Sequence, residues 1–442
     1  MRRVAVIGSG ISGLAVAWKL SQRNDMHVTL YEAASYCGGH AHTVDVCLPN
    51  AAGEPVTHGV DTGFLVFNER TYPQLIRLFG SLKVEVARSE MSFSVQAGAG
   101  LGAVCWSGNN LDTVFAQRRN LLRPRFLRML ADLLRFNRVT TALALSGDDQ
   151  RLGQSIGEFL DQHRFSQAFR DWYFLPMIGC IWSCPTEQML RFPVGTLVRF
   201  CHNHGLLQVN NRPQWFTVAG GSRNYVQSML RRVRDVRLGT PVMAVKRLAE
   251  AGASIGVATA SQVERFHDVV LACHSDQALT LLGPDASVPE RQVLSAIGYH
   301  RNRAVLHTDT GLLPQQRKAW AAWNYEHAGE AGRERASVCL HYLINKLQPL
   351  PFAQPVLVSL NPVREPQKQR VIAEFDYAHP VFDRAAVAAQ QRLPALQGQR
   401  NTWFCGAWTG YGFHEDGLKS ALDVVARLQS RTASGSFERV AA

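Results

Sequence analysis

The first part of the chain alternates short apolar runs with one stretch of helical periodicity. Four apolar residues, Val4 to Ile7, precede a glycine-rich turn, and the residues after the turn place apolar side chains at helical spacing. A second apolar run, residues 27–31, is followed directly by Glu32. The pattern therefore predicts a strand, a tight turn, a helix and a second strand that ends on an acid.

The turn has the spacing Gly-x-Gly-x-x-Gly and lies between the strand and the helix. We expect Gly8 to make the turn, Gly10 to let a pyrophosphate approach the backbone, and Gly13 to bring the helix close to the strand. The helix N-terminus offers free N–H groups to phosphates, and Glu32 is placed to accept hydrogen bonds from a ribose diol. The predicted contacts of this adenine-dinucleotide site are Gly8, Gly10, Ile11, Ser12, Gly13 and Glu32.

Beyond residue 70 the pattern changes in character. Residues 71–82 have helical spacing, and residues 84–97 contain two short strand patterns that we interpret as a pair. Residues 150–211 are mostly helical and rich in aromatic side chains. Further strands are predicted at 304–309, 337–347, 355–362 and 403–405.

Composition limits the class of protein. The 442 residues correspond to two or three domains, and a hydrophobic content of 46% is enough for large cores. No stretch approaches ~18 uninterrupted apolar residues, so we predict no transmembrane helix. Nine scattered cysteines fit reduced thiols in a cytoplasm. The net charge of +12 calls for an acidic partner or an anionic surface.

Much of this charge lies in residues 115–138, where seven arginines alternate with leucines and phenylalanines. On a helix that begins near Pro124, Arg125, Arg128 and Arg135 fall on one face and apolar residues crowd the other. Two interpretations stand. Segment 118–138 either contacts the inner face of an anionic membrane or packs on the core and leaves a basic face in water.

The aromatic stretch from Trp172 to Trp182 also has two interpretations. It is large enough to line a lipid-sized pocket, and it equally fits a plain domain core. Nearby, Cys180 and Cys184 and the residues 201–204 (Cys-His-Asn-His) resemble metal ligands. Their spacing does not match that of zinc pairs and no second half follows, so we predict no metal. Asp61 is either an ordinary turn acid or a functional one.

The pair Gly38-Gly39, with His40, follows Glu32 at a short distance, and residues 60–64 read Val-Asp-Thr-Gly-Phe. In these two sequence motifs the chain resembles the flavin-dependent amine oxidase and desaturase superfamily. The resemblance implies non-covalent FAD rather than NAD. The resemblance also implies that a strand beginning at Val242 meets the adenine and that the N-terminus of the last helix meets the flavin. The further FAD contacts implied are Gly38, Gly39, His40, Val242, Gly406, Gly417 and Leu418.

Over residues 1 to about 425 the chain more specifically resembles the amino-terminal oxidoreductase-like domain of plant cyclopropane-fatty-acid synthases and its bacterial single-domain relatives. The shared sequence motifs are VAVIGSGISGLA, GGHAHTV, VDTGFLVFNERTYP, MSFSV, AVLHTD and GFHEDGLKSA. A fused methyltransferase that acts on acyl chains implies a lipid substrate and a partner methyltransferase. No nucleic-acid partner is expected.

The resemblance implies an α/β fold with a discontinuous Rossmann-like FAD-binding domain and a mixed α+β substrate domain. We expect a disordered tail over 431–442. The predicted FAD-binding segments are 1–70, 212–285 and 396–430, and the substrate segments are 71–211 and 286–395.

The main hypothesis is an FAD-dependent oxidoreductase that desaturates an acyl chain of a fatty acid or phospholipid by hydride transfer to flavin N5. His414 and Glu415 are candidates to take the accompanying proton, or they only cap the last helix. The residues predicted to shape the substrate pocket are Tyr173, Trp403, Trp408 and Tyr411.

Two alternatives stay open at this point. The first is amine oxidation, for which the superfamily places a lysine near the flavin. The corresponding neighbourhood here is residues 301–303 (Arg-Asn-Arg), the acid that usually follows Gly406 is Ala407, and the basic charge would repel cationic amines. The second alternative is a flavin-binding accessory protein that presents lipid to a methyltransferase.

Overall fold

The computed structural model describes residues 1–98, 102–146, 148–207, 213–248, 254–327 and 338–440. Two larger sheets and three small ones organise the described residues. The strands are β1 (Arg2–Ile7), β2 (Met26–Tyr31), β3 (Thr43–Pro49), β4 (Pro55–Asp61), β5 (Phe67–Asn68), β6 (Val86–Ser89), β7 (Phe93–Ala97), β8 (Val104–Ser107), β9 (Trp215–Val218), β10 (Asp235–Arg237), β11 (Val242–Arg247), β12 (Ile255–Thr259), β13 (Val263–Phe266), β14 (Asp268–Leu271), β15 (Tyr299–His307), β16 (Trp323–Glu326), β17 (Cys339–Leu343), β18 (Leu357–Leu360), β19 (Val371–Pro380) and β20 (Thr402–Phe404).

Helices cover both sheets and form a separate layer between residues 111 and 203. Short 3-10 and π-helical turns, such as Arg118–Leu122 and Arg170–Phe174, join several of them. The α-helices are α1 (Ile11–Leu20), α2 (Pro73–Leu82), α3 (Leu111–Val114), α4 (Pro124–Ser146), α5 (Asp149–Gly153), α6 (Ile156–Gln162), α7 (Gln167–Phe169), α8 (Leu175–Trp182), α9 (Thr186–Leu190), α10 (Val194–Asn203), α11 (Arg223–Leu230), α12 (Ser275–Leu282), α13 (Val288–Leu294), α14 (Ile344–Leu347), α15 (Arg384–Arg392) and α16 (His414–Val440).

The first sheet has five parallel strands in the order β10-β2-β1-β14-β20. Its central strand β1 contains the run Val4 to Ile7, which is buried on both faces, as a continuous apolar run in a covered parallel strand should be. Helix α1 packs against α16 on one side of this sheet. The predicted α/β fold with a Rossmann-like sheet is thereby confirmed.

The second sheet has seven strands in the order β19-β15-β18-β17-β16-β7-β8 and stands beside the helical layer. Here two local predictions are wrong. The strands expected to pair within 84–97 do not pair: β6 joins β9, whereas β7 joins β8 and β16. Of the segment 337–347, residue 337 lies outside the described residues, and the described part is a strand from Cys339 to Leu343 and then α14.

Two boundaries also differ from the sequence prediction. Helices α13 and α15 were placed in the substrate domain, yet their apolar residues share one core cluster with Ala5 of β1 and Leu271 of β14. The chain thus returns to the first sheet near Arg384, earlier than residue 396. The last helix continues to Val440. Residues 431–440, which belong to the tail expected to be disordered, are therefore helical.

Helix α4 begins at Pro124, as predicted from the fixed φ of proline. Its buried face includes Phe126, Met129 and Phe136 and packs on α7 and α10. None of the helices in the described ranges is both long enough and apolar enough to span a bilayer.

Candidate active site

The three glycines of the first turn have three different surroundings. Gly8 has φ +101°, and a Cβ atom there would lie 2.8 Å from the carbonyl oxygen of Ala272. A Cβ atom on Gly13 would lie 1.8 Å from the carbonyl oxygen of Gly8, so this glycine lets α1 pack on β1. A Cβ atom on Gly10 would meet nothing within 4 Å. This geometry agrees with the three predicted roles, and the open space lies where a pyrophosphate would approach.

Glu32, at the end of β2, is oriented by its neighbours. The backbone N–H and the hydroxyl of Ser9 donate to Oε2 at 2.8 and 2.5 Å, and the N–H of Ala34 donates to Oε1 at 2.9 Å. Three of the about four lone-pair sites of the carboxylate are thus used, and Oε1 retains one for a further donor. A ribose hydroxyl is such a donor, and Glu32 lines the cavity described next.

A cavity of about 680 Å³ extends from the glycine turn to the start of α16. Its dinucleotide end is lined by Glu32, Val242 and Asp276, from β2, β11 and α12. Gly13 lies behind this wall. The predicted cofactor contacts that line the cavity are Gly8, Gly10, Ile11, Ser12, Glu32, Gly38, Gly39, His40, Val242 and Gly406.

The start of α16 corrects the predicted flavin contacts there. Gly417 donates its N–H to the carbonyl of Phe413 at 3.1 Å, inside the helix, and its carbonyl accepts from the Ser12 hydroxyl at 2.9 Å. Leu418 is buried in the core and does not line the cavity. The helix begins three residues before Gly417, at His414, so its unpaired first-turn N–H groups are those of 414–416.

His40 supplies a further test of whether the cavity fits the cofactor. Its ring lies between Tyr377 and His379, with ring centroids 5.0 and 5.3 Å away. The Nε2 atom is buried without a hydrogen-bond partner among the described residues. Because buried polar atoms are nearly always paired, this nitrogen is suited to a group of the cofactor. The open site at Gly10, the oriented Glu32 and this unpaired nitrogen together fit FAD.

His414 lines the cavity, but its ring nitrogen is already used. Its Nε2 lies 2.9 Å from the Tyr225 hydroxyl, and its ring stacks on Phe64 with centroids 3.8 Å apart. Burial raises the pKa of Tyr225 far above its usual value, so the hydroxyl stays protonated, and it is hydrogen-bonded to Nε2 in either tautomer of the histidine. Burial also lowers the pKa of His414 to about 3. The side chain is therefore neutral, but its Nε2 is occupied by Tyr225, which does not favour a role of this nitrogen as base.

Glu415 has a structural role instead of the predicted catalytic one. Its two carboxylate oxygens accept the backbone N–H groups of Gln74 and Leu75 at 2.9 and 3.0 Å, in the first turn of α2. Burial raises the pKa of this carboxyl group above its usual value. The residue does not line the cavity.

Two of the four predicted pocket residues, Trp408 and Tyr411, line the cavity. Trp403 does not, because it is buried on β20, where its indole N–H donates to Asp268 at 3.1 Å. Tyr173 packs against Trp106 and likewise lies outside the cavity wall. Both predictions are wrong because the aromatic residues fill cores formed with distant segments.

Sequence reasoning missed most of the substrate end, by which we mean the cavity wall away from Glu32. There His204, at the end of α10, stacks on Phe200 with centroids 3.9 Å apart, and its Nδ1 donates to the Phe200 carbonyl at 2.9 Å. Since the carbonyl fixes this tautomer, Nε2 is the unprotonated nitrogen. Burial lowers the pKa of His204 to about 4. Other residues of this wall include Met91, Phe200, Trp215, Trp323 and Tyr342, together with Trp182 from the aromatic stretch that the sequence offered as a pocket lining.

The charges of the cavity are segregated. Among the described residues, Glu32 and Asp276 are the acids that line it, both at the dinucleotide end, and neither lysine nor arginine lines it. The five lining histidines all have a pKa lowered by burial, so they are neutral near pH 7. Among the described residues, the substrate end thus has no charged side chain, and most of its lining is aromatic or aliphatic.

Two buried acids outside the cavity have structural partners. Asp61 accepts from the Ser222 N–H at 2.9 Å and so caps α11. Glu326 lies close to Cys339 and His341, within the distance that could hold a metal ion. It already pairs with His341 at 3.0 Å and with Arg364 at 2.9 Å, so its charge is compensated.

A parallel sheet with this glycine turn, an acid ending the second strand and a cavity that fits FAD define an FAD-dependent oxidoreductase. The family model of flavin containing amine oxidoreductases matches residues 11–341. The chain belongs to this family. None of the curated proteins matches it.

Solved structures of similar fold cover almost the whole chain, and their sequence identities are low enough that the likeness shows the fold alone. A CLA-producing fatty acid isomerase from P. acnes has 16% identity and a TM-score of 0.67, covering 96% of this chain and 98% of that chain. Cyclohexylamine oxidase from Brevibacterium oxydans IH-35A has 14% identity and a TM-score of 0.67, covering 97% and 99%. Putrescine oxidase bound to putrescine has 14% identity and a TM-score of 0.66, also covering 97% and 99%.

Proposed function

We propose that this flavoenzyme dehydrogenates the acyl chain of a fatty acid or phospholipid. The observation that carries the proposal is the apolar, uncharged substrate end of the cavity. Each methylene group buried there contributes about 0.8 kcal/mol to binding. A cationic amine would lose its hydration without meeting a carboxylate at that end of the described cavity, which is costly.

Two further observations favour an acyl chain over an amine. The described part of the cavity wall contains no lysine, and Trp403, predicted to shape the pocket, is buried outside that wall. One of the proteins with a similar fold is a fatty acid isomerase. Two others are amine oxidases, so fold by itself does not choose between the substrates.

The chemistry requires a hydride acceptor and a base. When bound, FAD supplies the two-electron acceptor for a hydride from one carbon of the chain. His204 Nε2 takes the proton from the neighbouring carbon, and the electron pair of that C–H bond forms the new double bond. The pKa of about 4 keeps His204 unprotonated at neutral pH. The aromatic wall excludes water while the proton and the hydride leave.

The test is anaerobic mixing of the FAD-loaded enzyme with fatty acids, with phospholipids, and with cyclohexylamine and putrescine as the amine arm. The proposal expects lipids to bleach the flavin absorbance and to yield a product lighter by two hydrogen atoms. Bleaching by amines alone would overturn it in favour of amine oxidation. A lipid product of unchanged mass with a moved double bond would replace dehydrogenation by isomerisation. A bound flavin that no lipid reduces would also overturn it and support the accessory role.

A further inference from the structure

The outer face of α4 and of the turn before it carries an unusual number of exposed leucines. Of the seven exposed leucines among the described residues, six lie between positions 111 and 145, and Leu122 is 87% exposed. On α4, Leu127, Leu134 and Leu145 are seven and eleven residues apart and therefore share one line along the helix. We call five of these residues the leucine ridge: Leu121, Leu122, Leu127, Leu134 and Leu145.

The ridge is not needed to attach α4 to the protein. The opposite face of the helix already buries Phe126, Met129 and Phe136 completely. Exposed apolar side chains are individually common, but an apolar line rimmed by charge is typical of an interaction site. The leucine ridge therefore remains available for contact with a binding partner.

The charges around the ridge differ from the sequence-based expectation. Arg128 and Arg135 both pair with the buried Asp132, at 3.4 and 3.0 Å, and Arg125 lies over the ring of Trp172 at 5.2 Å. The face predicted to meet headgroups through these arginines is thus a flank of α4, and the leucines occupy the outward line. Sequence periodicity separates a basic and an apolar side of the helix but does not show which apolar residues are exposed.

The segment is nevertheless strongly basic. Residues 111–146 contain seven arginines and two aspartates. Asp132 is buried, and Asp112 pairs with Arg118 and with Lys318 at 3.0 Å. Exposed arginines, including Arg138 on the outward side of α4, lie beside the ridge. Apolar side chains flanked by long cationic ones suit an interface of acyl chains and anionic headgroups.

We propose that the leucine ridge docks the enzyme on an anionic phospholipid bilayer, with the leucines inserted and the arginines at the phosphates. A second copy of the chain fits less well, because a twofold contact would bring the same arginines together. Helix α10 packs on the inner face of α4 and carries Phe200 of the cavity wall. Docking would hold this wall near the bilayer, yet the proposal does not depend on the reaction in the cavity.

The experiment is vesicle flotation of the FAD-loaded enzyme. Equal parts of phosphatidylglycerol and phosphatidylcholine form the anionic vesicles, and phosphatidylcholine alone forms the neutral ones. The triple variant Leu122→Ser/Leu127→Ser/Leu134→Ser should bind anionic vesicles about 100-fold more weakly than wild type, since three inserted side chains are lost. A matched control is Val263→Ser/Val288→Ser, whose valines are 62% and 67% exposed on the FAD-binding side. It should bind like wild type.

A second variant tests the charges. Arg118→Gln/Arg138→Gln should weaken binding to anionic vesicles about 30-fold, and the difference should shrink in high salt. Flavin absorbance and melting temperature report whether each variant is folded. The proposal is overturned if folded wild type binds neither vesicle, or if the leucine variant binds as well as wild type. Sedimentation showing a wild-type dimer that the leucine variant dissociates would identify the ridge as a subunit interface and also overturn it.

Discussion

The Tyr225 hydroxyl lies 2.9 Å from Nε2 of His414 and is hydrogen-bonded to it. His204 is held in the opposite way: its Nδ1 donates to the Phe200 carbonyl, so its Nε2 is left as the unprotonated nitrogen. Both rings line the same cavity and both are neutral. Their hydrogen-bond partners, rather than their pKa values, distinguish the candidate base from the wall residue.

We expect His204→Gln to slow anaerobic flavin reduction by a bound acyl substrate about 100-fold, without a comparable loss of substrate affinity. His414→Gln should slow it less than about tenfold, since its Nε2 is not available as base. Stopped-flow absorbance measures both rates, and equal losses in the two variants would contradict the assignment of His204.

The same base predicts a pH dependence. His204 must be unprotonated to accept a proton, and its pKa is lowered to about 4. The rate of flavin reduction should therefore be flat between about pH 6 and 8 and fall as the pH approaches 4. A rate that rises steeply through neutral pH would indicate a base of ordinary histidine pKa.

Gly10 and Gly13 form a matched pair for cofactor binding. A Cβ atom on Gly10 would meet no described protein atom within 4 Å, and the φ of −62° at this position suits any residue. Gly10→Val should fold normally and bind FAD at least about 100-fold more weakly, because it fills the space for the pyrophosphate. Gly13→Val would collide with the Gly8 carbonyl and should lower stability by about 1–3 kcal/mol or more. Melting curves and FAD titrations separate the two effects; a Gly10→Val protein that retains FAD would contradict this placement.

Glu415 should matter for folding and not for chemistry. Glu415→Ala removes both acceptors from the first turn of α2, and the loss of a helix cap costs about 0.5–2 kcal/mol. We expect a lower melting temperature and an unchanged rate of reduction per bound flavin. A large loss of rate at unchanged stability would restore Glu415 as a catalytic residue.

The buried pair of His341 and Glu326 should make stability fall at alkaline pH. Contact with Cys339 and Glu326 raises the pKa of His341 to about 9 against the cost of burial. The protonated form is therefore favoured by folding. This contribution is complete below the unfolded pKa of about 6.5 and is lost as the pH rises through about 9. Urea unfolding across this range should show a decline that Glu326→Gln flattens; parallel curves for both proteins would contradict it.

Local sequence signals predicted the strand, glycine turn and helix of the Rossmann-like sheet, and with them the cofactor. The glycine spacing, the apolar strand from Val4 to Ile7 and the position of Glu32 all act within about thirty residues, so their geometry follows from the chain itself. The same holds for the start of α4 at Pro124, where a fixed φ decides.

Predictions failed where a distant partner decides the role. Glu415 caps α2, which lies more than three hundred residues earlier in the chain. The indole N–H of Trp403 donates to Asp268, which is also distant in sequence. The sequence indicates His204 only as a potential metal ligand, because nothing in it shows which carbonyl fixes the tautomer of this histidine. On α4, periodicity separates two faces, but only the packing of Phe126 and Phe136 shows which face is inside.

The hydrogen bond from the Ser12 hydroxyl to the Gly417 carbonyl joins positions 405 residues apart. Helix α1 can therefore pack against α16 only after nearly the whole polypeptide has been synthesised. While the chain is growing on a ribosome, the apolar surface of α1 that later meets α16 is open to water and to other nascent chains. We expect the region around α1 and α16 to be the last to become protease-resistant during synthesis and to rely most on chaperones.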